Sequence, residues 1–196
     1  MTLQIDDAFI GRWDPEYDKP EIGGDYKEYG TLVTKVAAEM KSIGTISKGT
    51  FLKIWKWKGA MRIIRHVRLD EYDSRYAEAF RRAASAPPER KLQALLRNGE
   101  KLPGVGAPTG STIIHFIHPE TMPIMDVRTV EALVHARRIS TRQRDLEHYE
   151  EFRKAIDRIR HECPNWTLRQ IDRALFAYHK LILGKKGRHG KRLCQT

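Results

Sequence analysis

The residues best suited to chemistry lie between Lys101 and Leu133, where the chain reads KLPGVGAPTGSTIIHFIHPETMPIMDVRTVEAL. Gly104 and Gly106 fall in a turn between two apolar segments, and glycine both permits positive φ and lets a ligand approach the backbone. The N–H groups around Val105 and Gly106 then stand at the start of a helix, where partial positive charge collects. The turn Leu102-Pro103-Gly104-Val105-Gly106 can therefore hold a phosphate with main chain alone. Twenty positions beyond Gly106 stands Asp126, a carboxylate that also makes a good N-cap for the segment beginning Val127.

Other side chains invite chemical readings. The run Phe51-Leu-Lys-Ile-Trp-Lys-Trp-Lys58 interleaves rings with cations, a mixture that suits base stacking and phosphate contact through Lys53, Lys56 and Lys58. At helical spacing Phe51 and Trp55 are expected to pack in the core, which leaves Trp57 as the exposed ring. His115 and His118, three apart, could share a metal on a helix, but no third ligand is near and no side-chain metal site is expected. Cys163 and Cys194 are too few for a four-cysteine iron–sulfur cluster, show no histidine arranged for nucleophilic work and read as inert.

The stretch 101–133 resembles the helix-hairpin-helix motif as it occurs in the endonuclease III-like DNA glycosylase superfamily. Leu102, Pro103, Gly104, Val105 and Gly106 match the hairpin, Thr109 matches the threonine after it, and Ile113, Ile114, Phe116 and Ile117 fit the apolar helix. Asp126 stands where the family's catalytic aspartate falls, 18 positions after the site that carries lysine in bifunctional members and Pro108 here.

The resemblance implies an all-α, two-lobed fold with a cleft. One lobe, roughly 42–125, bears the hairpin; residues 1–41 plus 126–196 form the other, with 184–196 a basic tail and Asp126 at the mouth. It implies a double-stranded DNA partner gripped through Pro103, Gly104, Val105, Gly106 and Thr109; after the aspartate, where the family often has Thr-His, this chain has Val127 and Arg128, and Arg128 is a further candidate contact. A base is flipped from the stack, and Asp126 stabilises the oxocarbenium-like sugar and activates the attacking water. Without an amine at Pro108 no Schiff base forms there, so the expected enzyme is monofunctional, in DNA repair by base excision or in removal of unusual bases from foreign DNA. The family also suggests Na+ or K+ at the hairpin carbonyls of 101–106, and no other cofactor. The rival readings are a non-catalytic DNA-binding module that keeps the hairpin, and RNA or chromatin binding through the basic tail.

These residues must be positioned by helices. Residues 1–25, rich in Asp, Gly and Pro, read as mostly irregular. Asp25 can cap a helix to about Ser42, Ser47 one through Trp55, and Asp70 one over Glu71–Ala84 with Tyr72, Tyr76, Ala79, Phe80 and Ala83 on one face. A short segment spans roughly Ala60–Val67. Pro87 and Pro88 open a helix that buries Leu92, Leu95 and Leu96 and ends at Asn98-Gly99. Further helices are expected near Val127–Arg137, over Asp145–Glu162, and over Leu168–Leu183 capped by Thr167. No window reads as a strand, so the expectation is eight or nine helices.

Composition agrees with a globular chain and a polyanion partner. The 196 residues carry 36 Lys plus Arg against 25 Asp plus Glu, a net +11, with 40% apolar and 31% charged residues. Residues 1–40 hold a balance of −5, which leaves +16 on the rest. No acid falls between Lys41 and Leu69, nor after Lys185, and such clustering is the footprint of nucleic-acid binding. No apolar run can span a bilayer and no signal segment is evident, so the expectation is a cytoplasmic monomer, nucleoid-associated in a bacterial cell.

Overall fold

The computed structural model describes residues 3–22, 26–96 and 102–184. Asp25, Asn98-Gly99, Lys101, Cys194 and the basic tail from Lys185 onward lie outside the described residues. Within them there are nine α-helices and no strand: α1 (Asp7–Trp13), α2 (Tyr26–Ile43), α3 (Lys48–Trp57), α4 (Glu78–Ser85), α5 (Lys91–Leu96), α6 (Ala107–Ile117), α7 (Val127–His135), α8 (Leu146–Glu162) and α9 (Leu168–Tyr178). The chain divides into two compact units, one of residues 26–125 with 145–150, the other of 1–25, 126–144 and 151–196.

The first unit is built around Phe51, which is fully buried on α3 and has the rings of Trp55, Tyr72, Tyr76 and Phe80 at 4.9, 5.6, 5.8 and 5.8 Å. Helix α2 belongs to this unit, so the boundary expected at 41/42 falls at 25/26. The reason is its buried stripe of Tyr29, Leu32 and Val36: α2 packs on α3 and α6, and Tyr29 lies 5.4 Å from the Phe116 ring. Asp70 does not cap a helix. It pairs with Arg68 at 3.5 Å in a 3-10 turn over Leu69–Glu71, and a π-turn over Tyr72–Ala77 leads into α4. Within it Tyr72 and Tyr76 stack with ring centroids 5.9 Å apart, and both are buried.

Ser47 does cap α3, accepting from Thr50 N–H at 3.3 Å. Glu39 reaches this cap from α2 and accepts from Thr50 Oγ1 (2.6 Å), Ser47 N–H (2.8 Å) and Ser47 Oγ (2.8 Å). Burial opposes its ionisation, but these hydrogen bonds outweigh that cost and hold the carboxyl below its ordinary value. A carboxyl depressed in the folded state adds stability that is present above its unfolded pKa and is lost as pH falls through the folded one. The wild type is therefore expected to lose Tm more steeply than Glu39→Gln on acidification from pH 5 to 3, measured by circular dichroism. Parallel curves would remove Glu39 from the acid response.

In the second unit, the described residues 3–22 are more regular than expected. Asp6 accepts from Phe9 N–H at 2.8 Å and caps α1, whose Phe9, Ile10 and Trp13 are buried. Helix α9 carries the core of this unit, packing on α1 and α7, and Tyr178 meets the rings of Phe9 and Trp13 at 5.4 Å each. Thr167 caps α9 through Gln170 N–H, and the helix closes in a π-turn over His179–Leu183. None of the described helices is long and apolar enough to cross a membrane.

Candidate functional site

The turn at 102–106 is fixed from several sides. Leu102 and Val105 are buried, and Val105 N–H donates to the Leu102 carbonyl at 3.1 Å. The Tyr76 hydroxyl accepts from Arg68 N–H at 2.9 Å and donates to the Pro103 carbonyl at 2.8 Å, which ties the turn to the α4 region. Gly104 has φ +77°, and a Cβ there would meet Val67 Cγ2 at 2.8 Å and the His66 carbonyl carbon at 3.0 Å. Glycine is required here both by conformation and by space.

Gly106 does not share that requirement. Its φ is −99° with an extended ψ, and the nearest atom to an added Cβ is Pro108 Cδ at 3.9 Å. The expected outward N–H groups also need correction, because Val105 N–H closes the turn and Gly106 N–H donates to Thr109 Oγ1 at 3.1 Å. Among the described residues, the N–H groups of Gly104, Ala107 and Thr109 make no hydrogen bond, the last two because the first turn of a helix lacks acceptors. These three are the donors an anion would meet, while Pro108 has none. The Leu102 and Pro103 carbonyls each already accept one hydrogen bond, so a Na+ or K+ at the turn would use their second lone pairs.

The two glycines therefore predict different outcomes. Gly104→Ala is expected to cost about 2–4 kcal/mol, from a left-handed alanine and a clash with main chain that cannot yield. Gly106→Ala is expected to stay within about 1 kcal/mol. Urea unfolding separates them, and equal costs would contradict the geometry of the turn.

The helix that follows is seated by Gly110, where a Cβ would lie 3.0 Å from Leu92 and 3.3 Å from Leu95 and Leu96, so α5 and α6 meet closely. Lys53 and Lys56 on α3 are exposed and Lys58 is half-buried. Trp57 is not the exposed ring expected: it is half-buried, edge-on to Phe116 at 5.1 Å and 5.9 Å from Tyr29. Phe51 and Trp55 are core residues, 0% and 1% exposed. Sequence reasoning missed Tyr76 and Gly110. The short segment expected over Ala60–Val67 is the 3-10 turn Met61–His66, to which sequence reasoning gave no role; its last residue lies against Gly104, and its Arg62 and Arg65 are exposed. The acid-free run from Lys41 to Leu69 was the available signal for those arginines.

His115 is buried with both ring nitrogens occupied, Nε2 by the Tyr29 hydroxyl and Nδ1 by the Met122 carbonyl, each at 2.7 Å. It anchors the segment leading to Met125, whose N–H donates to Ser111 Oγ at 3.0 Å. His118 is half-buried, and burial pushes its pKa down. No group of three metal-ligating side chains occurs among the described residues. Cys163 is buried, and that burial pushes its thiol pKa up, which fits an inert role.

In the second unit, Asp126 is half-buried and caps α7. Its Oδ1 accepts from Arg128 N–H at 2.8 Å, and its own N–H donates to the buried Thr129 hydroxyl at 3.1 Å. A helix N-terminus favours a carboxylate at this point. The Arg128 guanidinium lies over the Phe176 ring at 4.7 Å. Pro103, Gly104, Val105 and Gly106 in the turn and Thr109 at the start of α6 thus lie together in the first unit, with the α3 lysines in that same unit, whereas Asp126 and Arg128 share the start of α7 in the second. Comparison of the chain with protein-family models, with curated proteins and with solved structures yields no match.

Proposed function

We propose that the protein is a monofunctional DNA glycosylase of the helix-hairpin-helix type, acting as a monomer on double-stranded DNA in the cytoplasm. The observation that carries the reading is the turn at 102–106, where Gly104, Ala107 and Thr109 offer N–H groups with no partner among the described residues, at the head of an eleven-residue helix. Phosphate gripped there leaves side chains free to read and extrude a base. Asp126 then takes a proton from water as the water oxygen bonds to C1′ of the sugar. The C1′–N bond breaks, and its electron pair leaves with the base. The carboxylate charge stabilises the positive sugar on the way. Pro108 offers no amine, so the strand is not cut at the hairpin. Na+ or K+ at the turn carbonyls belongs to this reading, but no step passes through it.

A second reading, a DNA-binding module without chemistry, is favoured by the cap itself: Oδ1 of Asp126 is already engaged in holding α7. The test incubates the wild type with duplexes carrying a panel of damaged or modified bases, followed by alkali to cut at abasic sites. Base release from at least one duplex is expected, together with binding that weakens steeply with salt. Salt-dependent binding with no release from any lesion selects the module, and absence of binding overturns both.

A further inference from the structure

A cavity of about 580 Å³ lies wholly inside the second unit, bounded by Glu21 and Ile22, by Arg128 at the start of α7, and by His179, Lys180 and Leu181 of the π-turn after α9. It opens to solvent, and its volume is in the range of small-molecule pockets. Two cations face into it with no salt-bridge partner among the described residues. Arg128 is held over Phe176 at 4.7 Å. Lys180 Nζ donates to the carbonyls of Glu21 (2.6 Å) and Ile22 (2.7 Å), which fixes the ammonium and leaves its third N–H. Burial and then the Arg128 charge push the Lys180 pKa down, with the exposed Glu21 carboxylate only a smaller opposing influence. The nearby Glu131 is engaged by His179 Nε2 at 2.5 Å.

We propose that this cavity binds a phosphomonoester through Arg128 and Lys180. A guanidinium fork takes two phosphate oxygens while an ammonium takes a third as a point charge. A phosphomonoester presents three terminal oxygens, enough for both the guanidinium fork and the ammonium, where a phosphodiester presents two. The group comes either on a free nucleotide or on the terminal phosphate of a DNA strand. The proposal shares Arg128 with the glycosylase reading but does not rest on it, because it needs neither the turn at 102–106 nor base release.

The test is equilibrium binding to the full chain at fixed ionic strength, comparing deoxyadenosine 5′-monophosphate with deoxyadenosine, and one oligonucleotide with and without a 5′-phosphate. At least tenfold tighter binding of the phosphorylated partner is expected in one pair or both, and the responding pair identifies the source. Arg128→Gln and Lys180→Gln are each expected to remove most of that preference, while Lys35→Gln, at an exposed position of α2, keeps it. Lys180→Gln also loses two carbonyl contacts, so Arg128→Gln, checked for fold by circular dichroism, decides if the first variant unfolds. No phosphate preference in the wild type, or a preference undiminished in Arg128→Gln, overturns the proposal.

Discussion

Replacing Asp126 with asparagine is expected to slow base release by about 10²–10⁴-fold while leaving the fold intact, the range associated with losing a positioned general base. The substitution is chosen for what it keeps. Asparagine caps a helix as well as aspartate does, and its side-chain oxygen can still accept from Arg128 N–H in the place of Oδ1. The Thr129 hydroxyl would still receive the N–H of residue 126. What disappears is the negative charge and the proton acceptor. Asp126→Ala would instead remove the cap as well, at about 0.5–2 kcal/mol, and would mix unfolding with lost chemistry. Single-turnover assays on the best substrate, with Tm and duplex affinity measured in parallel, separate these effects. A wild-type rate in Asp126→Asn would make the residue a cap and nothing more.

The features legible in the sequence are those set by a few adjacent residues. Ser47 and Thr167 cap their helices as their spacing implies, because a cap is decided by a side chain and an N–H three positions apart. Gly104 takes positive φ, as a glycine in a tight turn suggests, and Asp126 sits at a helix start. Phe51 and Trp55 are buried because the helical period aligns them on α3, and Phe80 is buried on α4. The misses come from partners distant in the chain, except at Asp70, whose partner Arg68 is two positions away. Trp57 looks exposed until Tyr29 and Phe116 close on it. His115 is not expected to ligate a metal, but what it does instead is set by Tyr29, 86 positions away, at its Nε2. Asp70 resembles a cap by type, yet Arg68 claims its carboxylate and the chain enters a π-turn instead. The same logic separates the glycines. Gly110 carries no turn signal, and its need for space arises only because α5 packs against it.

The long-range ion pairs of the second unit escape sequence reasoning altogether, and one of them leads to the largest expected loss of stability. Arg173 is 4% exposed; its Nε lies 2.8 Å from Asp14 Oδ1 and its Nη2 lies 2.7 Å from Asp18 Oδ2, across more than 150 positions of chain. Its guanidinium also rests 5.3 Å from the Tyr17 ring, beside the Arg169–Asp172 pair. Burial pushes the Asp14 carboxyl above its ordinary value, and the Arg173 charge is the main influence opposing that. Arg173→Met keeps most of the volume but leaves Asp14 buried without its cation, so a loss of about 3–5 kcal/mol is expected in urea unfolding at pH 7. The pH dependence has a definite sign. With Arg173 gone the folded Asp14 pKa rises further above the unfolded one, a penalty felt in full above the folded pKa and relieved as pH falls through it. The gap between wild type and variant is therefore expected to narrow from pH 7 to pH 5, and adding Asp14→Asn to Arg173→Met should recover part of the loss at neutral pH. A cost below about 1 kcal/mol, or a gap that widens with acid, would show that packing on Tyr17, and not the buried charge, is what Arg173 contributes.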